Sequence, residues 1–146
     1  MNKLLFIGLL GVTCLLSCEK NTVSSENSFS QKEETVVIRS VDSREAKELL
    51  EQEKDIVLLD VRTPDEFELG HLAGAKNMDF HASDFGQQLQ DLNPDEKYML
   101  YCAVGGRSGK TMQMMENLGF KQVYNVTEGF TELSSNGIPV EKGKME

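Results

Sequence analysis

The stretch Tyr98-Met99-Leu100-Tyr101-Cys102-Ala103-Val104-Gly105-Gly106-Arg107-Ser108, followed by a run that ends Leu118-Gly119-Phe120, decides how this chain folds. Tyr98 to Tyr101 are apolar or aromatic without alternation, the pattern of a short strand buried on both faces. The closing run reads as a helix, with Met112, Met115 and Leu118 at spacings of three and Gly119 placed as its C′ residue. Between them lies a seven-residue turn, Cys102 to Ser108. Gly105 and Gly106 allow the backbone to curl with φ > 0, Arg107 places a permanent cation in the turn, and Ser108 can cap the helix. A strand, a glycine loop and a helix in that order aim backbone N–H groups and the positive end of the helix dipole at the loop's start. Here that position is a sulfur. A thiolate at Cys102 is expected to be stabilised and its pKa lowered, making it a nucleophile near neutral pH. A cysteine that merely ended a strand would need none of these features.

Outward from this stretch, strands and helices alternate. Val36-Val37-Ile38 is a β-branched first strand. Asp42 with Glu45 predicts a capping box, and Ala46, Leu49 and Leu50 give the helix behind it an apolar face. Ile56 to Leu59 is a second apolar strand ending at Asp60, and Thr63-Pro64-Asp65-Glu66 starts another helix, with proline at its first position. That helix turns as far as Leu69 and breaks at Gly70. A brief third strand is expected over Ala75 to Met78 and a helix over Asp84 to Leu92. Val123 to Val126 is a strand after the central helix, followed by a last helical segment near Phe130 to Ser134. Short apolar strands separated by helices imply an α/β fold, a parallel sheet covered on both faces. Ligands of such sheets bind beyond the carboxyl ends of the strands, where Cys102 lies.

The loop Cys102-x-x-Gly105-x-Arg107-Ser108 resembles the active-site loop of single-domain rhodanese-like sulfurtransferases. Other segments are similar to that family's motifs. They are Asp60-Val61-Arg62, Glu66-Phe67-x-x-Gly70-His71-Leu72-x-Gly74-Ala75-x-Asn77-Met78, Gly119-Phe120 and Gly137-Ile138-Pro139-Val140. Where many relatives read Gly-Gly-x-x-x-Trp, this chain has Glu128-Gly129-Phe130-Thr131-Glu132-Leu133, and Leu133 can fill the tryptophan's packing role. The resemblance implies a five-stranded parallel sheet flanked by helices. It also implies Cys102 as the persulfide-forming nucleophile in a loop of Ala103, Val104, Gly105, Gly106 and Ser108, with Arg107 either binding an anionic donor or bracing the loop. Asp60 and Arg62 are expected to support the site by orienting the turn after the second strand. His71 reads as a hydrogen-bonded structural histidine; His81 carries no signal.

The N-terminus has a different character. Lys3 precedes an apolar run from Leu4 to Leu16, which is shorter than the about 20 residues a membrane span takes but fits the apolar core of a secretory signal peptide. Leu15-Leu16-Ser17-Cys18 resembles the lipobox of bacterial lipoproteins. The expected organisation is a lipoprotein signal peptide over residues 1–17, a flexible tether over 18–35 and one domain over 36–143. Cys18 would carry the lipid and hold the domain at a membrane, outside the cytoplasm. The tether is polar and has a reach of roughly 20–25 Å. About 110 residues remain for the domain, enough for a modest core.

Of the three cysteines, Cys14 would leave with the signal and Cys18 would become a thioether, so Cys102 is the lone free thiol. One cysteine with His71 and His81 lacks metal-ligand spacing, and no metal or cofactor is expected. A net charge of −9 argues against nucleic acid as a partner. The expected reaction is sulfur transfer from thiosulfate, polysulfide or a protein persulfide to a thiol or cyanide. Two other readings stand beside it: a persulfide relay or partner-binding module without turnover, and a phosphatase or arsenate reductase. Phosphatase loops of the Cys-x5-Arg type hold one more residue than the four between Cys102 and Arg107, so this ring suits a sulfur atom better than a tetrahedral oxyanion. The apolar Ala103 and Val104 at the loop entrance suggest polysulfide or a protein persulfide over thiosulfate.

Overall fold

The computed structural model describes residues 35–143; the expected signal peptide, Cys18 and all but the last residue of the expected tether lie outside them. The strand expected at Tyr98 is β5 (Lys97–Tyr101), and its four residues from Tyr98 on are each at most 1% exposed. The continuous apolar run has a simple cause. Tyr98 and Leu100 face one hydrophobic cluster, with Leu59, Phe85, Leu89, Met115 and Phe120, while Met99 and Tyr101 face another, with Ala46, Tyr124, Val126 and Leu133. A strand buried on both faces has no side left for polar alternation.

The described residues form a five-stranded sheet ordered β1-β6-β5-β2-β4 and a separate two-stranded ribbon. The large sheet contains β1 (Val37–Val41), β2 (Ile56–Asp60), β4 (Lys76–Asn77), β5 and β6 (Gln122–Val126). All of its pairings are parallel, and β5 sits between β2 and β6, with Asp60 opposite Tyr101 and Asn125 opposite Leu100. α3 (Phe85–Gln90) and α4 (Gly106–Asn117) cover one face; α1 (Ser43–Gln52) and α5 (Phe130–Ser135) cover the other. The expected fold class is the observed one, a five-stranded parallel sheet with helices on both faces.

Several local expectations need correction. The first strand runs from Val37 to Val41, and Val36 is 60% exposed. Asp42 caps α1 by accepting from the Glu45 N–H at 2.8 Å, but the Glu45 carboxylate pairs with Arg39 at 2.7 Å, leaving only half of the expected capping box. The full box occurs at α2 (Pro64–Leu69), where Thr63 and Glu66 cap one another's backbone N–H groups. α4 ends as expected at Gly119, whose φ of 83° lets the Phe120 N–H reach the Met115 carbonyl. Its buried stripe is Ser108, Thr111 and Met115, however, and Leu118 is 40% exposed. The spacing of three drifts around a helix of 3.6 residues per turn, and Leu118 has rotated out of the core.

A ribbon absent from the expected elements is formed by β3 (His71–Leu72) and β7 (Val140–Glu141), which pair antiparallel. Two residues per strand are too few to show periodicity. The ribbon secures the chain's return beside α2, where the Gly143 N–H donates to the Glu68 carbonyl.

Candidate active site

Strand β5 delivers Cys102 to the carboxyl edge of the sheet, and α4 begins at Gly106. The loop proper is therefore residues 102–105, shorter than the expected seven-residue turn. Only Gly105 has φ > 0, at 80°, whereas Gly106 has entered the helix. Both flanking glycines of the site are forced by close approach. A Cβ on Gly105 would collide with the Thr127 carbonyl, and one on Gly129 would collide with the Ala103 carbonyl. The Phe130 N–H also donates to the Cys102 carbonyl at 2.8 Å. The loop after β5 thus lies flat against residues 127–129, with no side chain between them.

This contact yields a paired expectation. Gly105→Ala will cost about 1–3 kcal/mol through its left-handed backbone alone, and more through the Thr127 collision. Gly106→Ala, in open space at a helix start, will leave the melting temperature nearly unchanged. Thermal unfolding of the two variants checks both.

Cys102 is 1% exposed, and Ser108 does not cap α4 as expected. It is the third helical residue, fully buried, with its Oγ 3.6 Å from Cys102 Sγ and 3.2 Å from the Gly105 carbonyl oxygen. Burial pushes the Cys102 thiol up. The N–H and hydroxyl of Ser108, then the Val104 and Arg107 N–H groups, more than offset it and hold the thiol below its ordinary value. These donors and the N-terminus of α4 favour negative charge on the sulfur. Ala103 is half-buried, and Val104 is 77% exposed at the loop tip.

Arg107 does not stand free. Its Nη1 and Nη2 donate to the two carboxylate oxygens of Glu66 at 2.7 and 2.8 Å. The guanidinium lowers the Glu66 pKa to about 2, assisted by the Thr63 N–H and hydroxyl. Glu66 is the residue the sequence reading missed as part of the site. Its spacing from Thr63 points to the α2 cap, which it does form, yet the same carboxylate also takes Arg107 at the start of α4. An acidic residue within the motif that resembles the sulfurtransferases was the available signal.

Asp60 and Arg62 are buried at the end of β2 and in the turn after it. The Arg62 guanidinium contacts both Asp60 oxygens, with Nη2 at 2.6 Å, and Nη2 also donates to the Gly70 carbonyl at 2.7 Å. It stacks over the Phe130 ring at 4.1 Å. The Val61 N–H donates to the Tyr101 carbonyl, tying this turn to the end of β5. His71 is structural in the sense expected: Nδ1 is 2.9 Å from the Phe67 carbonyl oxygen, and the ring stacks on Phe67. Leu133 is fully buried, the packing role expected where relatives carry tryptophan. Glu128 accepts hydrogen bonds from the Ser43 N–H and hydroxyl.

A central parallel strand that ends in one cysteine, set in an amide-lined loop before a helix, is the α/β arrangement of a rhodanese-like domain. The Rhodanese-like domain family matches residues 42–136, and this chain belongs to that family. Thiosulfate sulfurtransferase 18 of Arabidopsis thaliana is 33% identical over 136 residues, covering 85% of this chain and 97% of that protein. The Bacillus subtilis protein YqhL, itself described as uncharacterized, is 38% identical over 73 residues; the match spans 50% of this chain and only 56% of YqhL. A crystal structure of a rhodanese-like domain protein from Staphylococcus aureus aligns with a TM-score of 0.62 at 28% identity, covering 73% of this chain and 99% of that one. Sulfurtransferases are thus among its relatives, at modest identity.

Proposed function

We propose that this protein is a sulfurtransferase that carries sulfane sulfur as a persulfide on Cys102. The observation that carries the reading is the setting of the Cys102 sulfur, buried and faced by the N–H groups of Val104, Arg107 and Ser108. The Cys102 thiolate attacks the outer sulfur of a donor such as thiosulfate, polysulfide or a protein persulfide. A Cys102 S–S bond forms, the donor's S–S bond breaks, and its electron pair leaves with sulfite or a thiolate. An acceptor thiolate or cyanide then attacks the terminal sulfur, and Cys102 departs as the thiolate. Both resting states are anionic at the sulfur, so the same donors serve each half-reaction.

A phosphatase would need Arg107 for its oxyanion, and the bidentate contact to Glu66 weighs against that use. A partner-binding module would have no use for a buried sulfur faced by backbone N–H groups, whereas a persulfide relay would share that setting and differ in lacking turnover. Intact-mass spectrometry after incubation with thiosulfate or polysulfide tests the proposal. The expected result is an adduct of about 32 Da on Cys102 that cyanide removes; no adduct from either donor overturns it.

A further inference from the structure

The cation of the site already has a carboxylate partner, besides its charge contact with Cys102. Glu66 holds both terminal nitrogens of Arg107, and the geometry is the planar two-point match that makes arginine–carboxylate pairs strong. Thr63 fixes the carboxylate from the other side, its N–H and its hydroxyl both donating to Oε2 at 3.0 Å. Glu66 is therefore anchored in the α2 cap and is not a free surface acid that happens to meet Arg107. Its neighbour Asp65 adds a second acid to the first turn of α2. At the tip of the Cys102 loop stands an exposed valine, Val104. The site thus carries an ion-paired arginine and an exposed apolar side chain where an anion-binding site would offer a free guanidinium.

We infer that Glu66 is a specificity-determining residue, a charge filter that withholds Arg107 from dianionic donors and turns Cys102 toward sulfane sulfur of lower charge, including that carried on a protein persulfide. The inference rests on the sulfurtransferase reading above. Glu66 touches no reacting atom; it acts through Arg107. Its low pKa keeps it ionised throughout the range in which sulfur transfer is measured, so the filter does not open with pH.

The test compares two donors of the same sulfane sulfur, thiosulfate as the dianion and methanethiosulfonate as the monoanion. In each case the S–S bond to Cys102 forms as the donor's S–S bond breaks, releasing sulfite or methanesulfinate. The readout is the ratio of kcat/KM for thiosulfate to that for methanethiosulfonate. Glu66→Gln keeps the shape and removes the charge, and the ratio should rise about five- to tenfold through a lower KM for thiosulfate. Glu66→Asp keeps the charge, and its ratio should stay near that of the wild type. A purely structural Glu66 would instead depress both donors together and leave the ratio in place. Should Glu66→Gln fail to fold, the double variant Glu66→Gln/Arg107→Gln puts the same question. It replaces a neutral ion pair by a neutral amide pair, so its ratio should remain within about twofold of wild type. A tenfold fall would mean that Arg107 serves the dianion directly, and would overturn the filter. Transfer with an unchanged ratio in Glu66→Gln also overturns it while leaving the sulfurtransferase reading intact. Absence of transfer and of any Cys102 adduct from both donors overturns the two together.

Discussion

Cys102→Ser will lose sulfur transfer completely while the protein stays folded. A serine hydroxyl at this position would meet the same N–H groups of Val104, Arg107 and Ser108. Those groups lower a thiol pKa that begins near 8.5, but the hydroxyl begins so much higher that no useful alkoxide forms. Even a hydroxyl that was deprotonated could not hold a sulfane sulfur in an S–S bond, so no second half-reaction exists for the variant. The structural cost is small, because oxygen replaces a buried sulfur without adding volume; a near-isosteric change of this kind stays below about 1.5 kcal/mol. Steady-state transfer from thiosulfate and polysulfide, with a thermal melt alongside, separates the two effects. In the wild-type protein, alkylation of Cys102 should rise with pH and level off earlier than for an ordinary thiol, as its lowered pKa requires. Measurable turnover in folded Cys102→Ser would sink the mechanism.

The parts of this chain legible in its sequence are those where one residue type has one physical use. Tyr98 to Tyr101 could only be a strand buried on both faces. Cys102, Gly105 and Gly119 announced the loop and the helix end, because a nucleophile before a glycine turn and a glycine after a helix each have a mechanical reason. Legibility failed where one residue has two uses. Glu66 forms the α2 cap that its spacing from Thr63 predicts, and that satisfied reading concealed its second contact, 41 residues away along the chain, with Arg107. Ser108 reads as a cap by type, yet Gly105 takes the N-cap position in a left-handed conformation. The serine was thereby carried into the first turn of α4 and turned toward the sulfur. The two-residue strands β3 and β7 lie below the length at which any period exists. At Glu66 a tertiary contact adds to a correct local preference, and at Ser108 a neighbouring glycine displaces one.

Arg62→Ala is expected to destabilise the domain by about 3–5 kcal/mol, the cost of leaving a buried charge without its partner. Asp60 is fully buried and Arg62 is 5% exposed, so water cannot replace what is lost. The guanidinium supplies three contacts to the Asp60 carboxylate, one to the Gly70 carbonyl, and its flat face to Phe130. In a domain of this size each kcal/mol lowers the melting temperature by several degrees, so the fall should exceed about 10 °C. Urea unfolding checks the magnitude, and a loss below about 1 kcal/mol would mean that Asp60 finds another partner. Replacing both residues, as in Asp60→Leu/Arg62→Met, should cost much less than Arg62→Ala, because no charge is then left buried. The same comparison addresses why the chain keeps an ion pair there at all. Arg62 bridges the end of β2 to Gly70, the residue that closes α2, while Asn77 donates to the Asp60 and Arg62 carbonyls from the other side. These bonds hold the two ends of α2, and α2 carries Glu66 to Arg107. If the double variant is nearly as stable as the wild type yet transfers sulfur poorly, the pair is there to set the position of α2 against the Cys102 loop. If stability and transfer both survive, the hydrogen bonds of Asn77 and the capping box of Thr63 suffice for that task.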